Sequence, residues 1–330
     1  MTKLRVATVT FNPAIDQTIA VAHLVRGEVH RAQSVRQDPG GKGVNVASCL
    51  ADWGVPVTVF GLLGADNAAP FEALCAAKPI TDCFDRLPGN TRVNIKIVDE
   101  GETTDINMDG LLVDEAATDG VLASVERFAG PDALVVLSGS LPPGCDAGIY
   151  ARMIARLRAL GARVLLDTSG APLTMALRAD VLPDIVKPNR RELAAWAGEP
   201  LESLADVAAC GQRLRARGIT LVVVSMGEEG ALFLSDEGAL LARLPAGELA
   251  STVGAGDAMV AGLAAAAIEG AGLEQTARLA TAFAVAKLGR PGPHLPDLGT
   301  IDALARDVTI TTITTTGAEP IGADGAGEAR

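Results

Sequence analysis

Asp257 is the residue whose surroundings most directly imply chemistry. It follows Gly254, Ala255 and Gly256 in the stretch Ser251–Gly262, STVGAGDAMVAG, and an Ala-rich run continues to Ile268. This pattern predicts a loop that opens a helix. Two glycines let the backbone turn sharply and admit a ligand closely. The first N–H groups of a helix lack partners, and the helix dipole favours an anion there. Gly254, Ala255 and Gly256 therefore offer an anion hole for a phosphoryl group, with a carboxylate beside it. No Lys or Arg lies within ten residues of Asp257. A lone carboxylate there can take the proton of an attacking hydroxyl, and phosphoryl transfer needs little beyond positioning, charge stabilisation and a proton acceptor. A plain helix cap also fits these twelve residues, since Asp is a favoured N-cap. Neither G-x-x-x-x-G-K-[ST] nor G-x-G-x-x-G is matched, because position 259 is Met.

Other clusters carry polar chemistry. Asp38-Pro39-Gly40-Gly41-Lys42-Gly43-Val44-Asn45 sets three glycines around one lysine ahead of a helix through Leu50, a second anion-friendly loop. Asn45 belongs in that helix's first turn. In Asn90–Val98, NTRVNIKIV, one face carries Thr91, Val93, Ile95 and Ile97 and the other Arg92, Asn94 and Lys96. An alternating strand has one wet face, so Arg92 meets either solvent or a ligand phosphate. Lys187-Pro188-Asn189 leads to Glu192. Asn189 and Glu192, three apart, share a helical face, and they also match a capping box. Ser225-Met226-Gly227-Glu228-Glu229-Gly230 follows an apolar run and reads as a turn at a strand end.

These clusters need a scaffold that brings strand ends together. The 330 residues can bury one large core. Leu4–Thr10, Val55–Leu63, Ala133–Leu137, Val164–Leu166, Ile185–Val186 and Leu221–Val224 read as strands, and helices are predicted over Ala68–Ala77, Ile149–Leu160 and Leu204–Arg217. Strand–helix alternation from about residue 113 argues for parallel crossovers in a doubly wound α/β sheet with helices on both faces. Ligands bind such sheets at the carboxyl ends of the strands, where the polar clusters recur. Residues 18–37, broken at Gly27, read as a hairpin exposed on at least one face. The expected organisation is a single domain over 1–315. The Thr/Ile stretch near 309–313 can add an edge strand, and 316–330 reads as a disordered tail.

Composition excludes some partners. A net charge of -12 argues against nucleic acid and against an anionic membrane surface. No segment is apolar enough to span a bilayer, and the N-terminus enters a strand without a signal peptide. The five scattered cysteines read as reduced, mostly buried thiols of a cytoplasmic protein rather than metal ligands.

Taken together, NPAID, GGKGVNVA, NTRVNIKI, TDINMDG, SGSLPPG, LDTSG, VKPNRREL, SMGEEG and TVGAGDAMVAG resemble, in kind and order, the ribokinase-like sugar kinases of the phosphofructokinase-B group. The resemblance spans about residues 4–300. It implies a doubly wound, mostly parallel sheet plus a small β-sheet lid inserted at about 12–37 and 90–109, with ATP and Mg²⁺ as cofactors. It implies Asp257 as general base and Gly254–Gly256 as the hole for the transferred phosphoryl group. Asp16, Gly40, Gly41, Lys42, Asn45, Arg92 and Asn107 would contact the sugar phosphate. Lys187, Asn189 and Ser225 to Gly230 would line the ATP site, with Asn189 and Glu192 organising Mg²⁺ through water. VKPNRRELAAWAG and the TRVNIKI–TDINMDG pair look closest to the branch acting on fructose 1-phosphate; the tagatose 6-phosphate branch is the nearest sibling. A homodimer through the lid follows by the same analogy. Ala258 departs from the Ser many relatives place there, and Met108 offers no charge.

Two readings from other classes compete. An NAD-dependent oxidoreductase would need G-x-G-x-x-G after a strand, which is missing. A catalytically silent sugar-phosphate sensor would not need a base, an anion hole and an N-x-x-E motif together.

Overall fold

The computed structural model describes residues 4–100, 102–245, 254–290 and 292–314. In chain order the first elements are β1 (Arg5–Thr10), β2 (Ala14–Val21), β3 (Ser34–Gly40), α1 (Lys42–Asp52), β4 (Val57–Gly64), α2 (Ala69–Ala77), β5 (Ile80–Leu87), β6 (Val93–Asp99) and β7 (Glu102–Ile106). Then come α3 (Glu115–Phe128), β8 (Ala133–Ser138), α4 (Ile149–Ala159), β9 (Arg163–Asp167), α5 (Gly170–Arg178), β10 (Ile185–Val186), α6 (Arg190–Ala197) and α7 (Leu204–Ala216). The last are β11 (Leu221–Ser225), β12 (Ala231–Ser235), β13 (Gly238–Arg243), α8 (Ala255–Glu269), α9 (Leu273–Leu288), α10 (Leu298–Asp307) and β14 (Thr309–Thr312).

β8 explains the layering. Its sequence ALVVLS is buried at every position, because alternate side chains of a central strand enter opposite layers. Leu134 and Val136 join the core with α1, α2, α8, α9 and α10. Val135 and Leu137 join the core with α3 to α7. The sheet has ten strands in the order β14-β13-β12-β11-β10-β9-β8-β1-β4-β5. It is parallel from β5 to β11 and antiparallel from β11 to β14. The expected doubly wound sheet is present, and the Thr/Ile stretch does form an edge strand, pairing with β13.

A second sheet of four strands, β3-β2-β6-β7, stands apart from the first. β2 pairs antiparallel with β3 and parallel with β6, and β6 pairs antiparallel with β7.

Some expectations change. Asp38, Pro39 and Gly40 are not a free loop. They complete β3, paired with Asp16, Ile15 and Ala14, because β2 begins soon after Pro13 and runs alongside them. The turn into α1 is left to Gly41 alone, at φ 106. No sequence pattern marks β5, α3, α5, α9 or α10 individually. The cysteines are all free, but only Cys49 and Cys210 are buried and Cys83 is exposed; Cys83 lies on β5, an edge strand of the sheet. The segments 246–253 and 315–330, which include the approach to Gly254 and the expected tail, lie outside the described residues.

Candidate active site

The site is assembled from two helix starts. At the start of α1, glycines are required by close approach. A Cβ on Gly41 would lie 2.8 Å from Pro13 Cα, and one on Gly43 would lie 3.0 Å from the Val9 carbonyl oxygen. The first turn of α1 therefore lies directly on β1, and Lys42 and Asn45 project from it. At the start of α8, Gly254 is the N-cap at φ 86, a left-handed conformation natural to glycine. The N–H groups that follow have no acceptor within their own helix.

Asp257 joins the two. Its Oδ2 accepts a hydrogen bond from Asn45 Nδ2 at 2.7 Å, and the residue is only 7% exposed. Burial raises its pKa to about 6; Asp167 adds to the rise, while Lys42, the Asn45 hydrogen bond and Lys187 oppose it. A carboxylate in that range is a capable base near neutrality.

Asp167, at the end of β9, ties the lysines together. Its fully buried carboxylate lies 3.2 Å from Lys42 Nζ and 3.2 Å from Lys187 Nζ. Burial pushes its pKa up, but the two lysines outweigh this and hold it below the ordinary value. Burial likewise works against the Lys42 charge, and Asp167, Asp257 and Glu192 more than restore it. Lys187 is 4% exposed, and its Nζ lies 3.7 Å from where a Cβ on Gly256 would stand. Lys42, Asp167, Lys187, the start of α8, Asp257 and Asn45 thus form a closed circuit.

The small sheet roofs this circuit. The pairing register places Asp38, Asp16 and Asn94 on one rung, and Arg36, Thr18 and Lys96 on the next. Lys96 Nζ lies 3.4 Å from Asp16 Oδ2, Asn94 Nδ2 donates to Asp16 Oδ1 at 3.2 Å, and Arg36 Nε pairs with Asp38 Oδ2 at 2.7 Å. A cleft runs between this face and the helix starts, lined by Asp16, Arg36, Asn45, Lys96, Gly254 and Lys287. Gly40 must lack a side chain, since a Cβ would stand 2.9 Å from Asp16 Oδ2.

On the opposite flank, Asn189 and Glu192 form a complete capping box. Glu192 N donates to Asn189 Oδ1 and Asn189 N donates to Glu192 Oε2, both at 2.8 Å. Ser225 bridges in parallel to Asn189. Met226 N donates to the Gly230 carbonyl at 2.9 Å, closing Ser225–Gly230 into a tight turn with Gly227, Glu228 and Glu229 exposed at its tip. The capping box engages one oxygen of Glu192. A carboxylate with one oxygen to spare fits Mg²⁺, which keeps most of its water and takes few protein ligands.

The sequence-predicted residues are not all brought together. Arg92 is turned away from the cleft. Its guanidinium donates to the carbonyls of Pro13, Met108 and Asn12, and burial lowers its pKa. It anchors the base of the small sheet. Asn107 follows β7 and is exposed. Four residues of the site were missed: Arg36, Lys96, Asp167 and Lys287. Asp167 had a signal, an acid ending the apolar run VLLD. Lys96 shares a strand face with Asn94. Lys287 had none, because α9 was not assigned.

The pfkB family carbohydrate kinase pattern matches residues 9–298. The chain belongs to this family. It is a carbohydrate kinase of the ribokinase-like fold, with its two glycine-rich helix starts facing one cleft. Among relatives, it is 54% identical over 290 residues to a 1-phosphofructokinase of Xanthomonas campestris pv. campestris, covering 86% of this chain and 91% of that protein. It is 50% identical over 313 residues to a 1-phosphofructokinase of Rhodobacter capsulatus, covering 94% and 98%. Phosphofructokinase-2 from Escherichia coli, solved in complex with fructose-6-phosphate, superposes with a TM-score of 0.85 at 28% identity, covering 92% of this chain and 98% of that one.

Proposed function

We propose that this pfkB kinase transfers the γ-phosphoryl group of ATP to the C6 hydroxyl of fructose 1-phosphate, giving fructose 1,6-bisphosphate. The observation that carries the reading is Asp257. It is buried, tuned to about 6, and set one residue past the N–H groups of Gly254–Gly256, beneath a roof that carries Arg36 and Lys96 beside Asp38 and Asp16. The names of the relatives supply the substrate class.

Asp16, Gly40, Gly41, Lys42 and Asn45 hold the sugar phosphate. Arg36 and Lys96 face its phosphate from the small sheet, and Arg92 keeps that sheet in place. Lys187, Asn189 and the Ser225–Gly230 turn bind ATP. Asp257 takes the proton of the C6 hydroxyl as the oxygen attacks, while the start of α8 and Lys187 meet the negative charge on the transferred group. Asn189 and Glu192 would hold Mg²⁺ through water, and the ion would supply charge neutralisation on the ATP phosphates. Closure of the small sheet excludes water from the cleft. Its outer strands expose Val35 and Ile106, which supports a homodimer formed through this sheet. Sedimentation of the purified chain tests that assembly, and a monomer would remove it. Among the described residues no helix is long and apolar enough to cross a membrane.

A second acceptor is favoured by the likeness to a structure solved with fructose-6-phosphate. ATP turnover is therefore compared with fructose 1-phosphate, fructose 6-phosphate and tagatose 6-phosphate. The expected preference is for fructose 1-phosphate. Equal or better turnover of either 6-phosphate would move the nucleophile to C1.

A further inference from the structure

Lys287 sits in the last turn of α9, with only 4% of its surface exposed. Its Nζ donates to the Arg290 carbonyl at 2.8 Å. Its stem packs on the cap of α8: a Cβ on Gly254 would stand 3.2 Å from Lys287 Cε and 3.8 Å from Nζ. Among the described residues, no carboxylate lies within ion-pair distance of Lys287, whereas Lys42, Lys96 and Lys187 each have one. Burying an ammonium with a carbonyl partner but no carboxylate is unfavourable. Burial lowers its pKa, more than Cys49 and Asp257 raise it, and nearby Lys96 and Arg36 lower it further. A charge kept at that cost, on the wall of the substrate cleft, is matched to an anion that comes and goes.

We propose that Lys287 is a positioning residue for phosphoryl transfer, the fixed cation behind Gly254 that holds the α8 start in register and meets the charge of the transferred phosphoryl group. This rests on the reading of the α8 start as the γ-phosphoryl site. The effect is local electrostatics: an ammonium a few ångströms behind the helix N-terminus, with little water between, adds to the field of the N–H groups. No proton moves to or from Lys287 in this role.

Lys287→Met keeps the stem that packs on Gly254 and removes the charge; Lys287→Ala opens a space the size of a small alkylammonium. Wild type, Lys287→Met and Lys287→Ala are compared with fructose 1-phosphate and ATP, alongside calorimetric affinities for ATP and ADP. Lys287→Met is expected to lose about 10- to 100-fold in kcat with the KM for fructose 1-phosphate nearly unchanged. It should lose affinity for ATP but little for ADP, which lacks the γ-phosphoryl group. Ethylammonium should restore part of the Lys287→Ala rate. A normal kcat in Lys287→Met, or equal losses for ATP and ADP, would overturn the proposal. Wild type inactive on fructose 1-phosphate would instead overturn the functional reading, and the ATP-against-ADP comparison would still decide the role of Lys287. Should either variant melt far below wild type, the other carries the same comparison.

Discussion

Asn45 and Asp257 stand 212 residues apart in sequence and are joined by a 2.7 Å hydrogen bond. The bond ties the first turn of α1 to the first turn of α8. Both helix starts line the same cleft. In the proposed reaction the base is thus held by the same side chain that lines the acceptor site. Orientation of this kind lets a single carboxylate serve two substrates without a wide search of rotamers.

The bond also sets the base's titration. It lowers the Asp257 pKa against the larger upward push of burial. Asn45→Ala removes the donor and leaves the burial, so the pKa rises. The acid limb of the kcat/KM profile, expected near pH 6 in wild type, should move to higher pH. An unmoved limb in the pH–rate profile would show that another group governs it.

Asp257→Asn separates catalysis from binding. General-base removal is expected to lower kcat by about 10²- to 10⁴-fold, with ATP and fructose 1-phosphate affinities largely kept. The substitution should also stabilise the fold. Asp257 titrates at about 6 in the native state against 3.8 in the unfolded chain. The native state thus binds the proton more tightly, and stability falls as pH rises from about 3.8 to 6. Above that window the ionised carboxylate costs on the order of 3 kcal/mol, from roughly 1.4 kcal/mol per tenfold change in proton affinity. Asp257→Asn should raise Tm at pH 7.5 and leave it unchanged near pH 4. A normal turnover rate would leave Asp257 as a first-turn acid of α8 with no part in proton transfer.

Asp167→Asn tests the circuit from the other side. It leaves Lys42 and Lys187 close together without the carboxylate that each approaches at 3.2 Å. Breaking a buried ion pair in this way costs about 3–5 kcal/mol, which urea unfolding reads directly. Because Asp167 helps to raise the Asp257 pKa, its loss should move the acid limb to lower pH. Asn45→Ala and Asp167→Asn are thus expected to shift one limb in opposite directions. Shifts of the same sign would break the assignment of that limb to Asp257.

Glu192→Gln addresses the metal. The amide preserves the oxygen that accepts from Asn189 N, so helix α6 should keep its cap and Tm should change little. The charge is lost, and the Mg²⁺ concentration needed for half-maximal rate should rise about tenfold. Chelation of divalent cations should abolish turnover in both proteins. An unchanged Mg²⁺ requirement in Glu192→Gln would leave Glu192 with only its capping role.

The local elements that carry the chemistry were legible because their causes are local. Glycine at 254 and 256 ahead of an Ala-rich run marks a helix start whatever surrounds it, and the buried apolar runs of β1, β4 and β8 mark central strands. The layering follows from alternation within β8. The partnership of each polar side chain was not legible, because it depends on which strand ends are brought side by side. Arg92 and Lys96 read alike on one strand face. The fold turns Arg92 onto three carbonyls at the base of the small sheet and sends Lys96 into the cleft beside Asp16. Asp167 was an acid at a strand end until parallel pairing of β8, β9 and β10 set it between two lysines. Lys287 became a cleft residue only when α9 packed against α8. The sequence by itself determined the two glycine-rich helix starts, the central strands and the family; long-range packing alone decided which charges meet, since a Coulomb interaction depends on distance in space and not on separation along the chain.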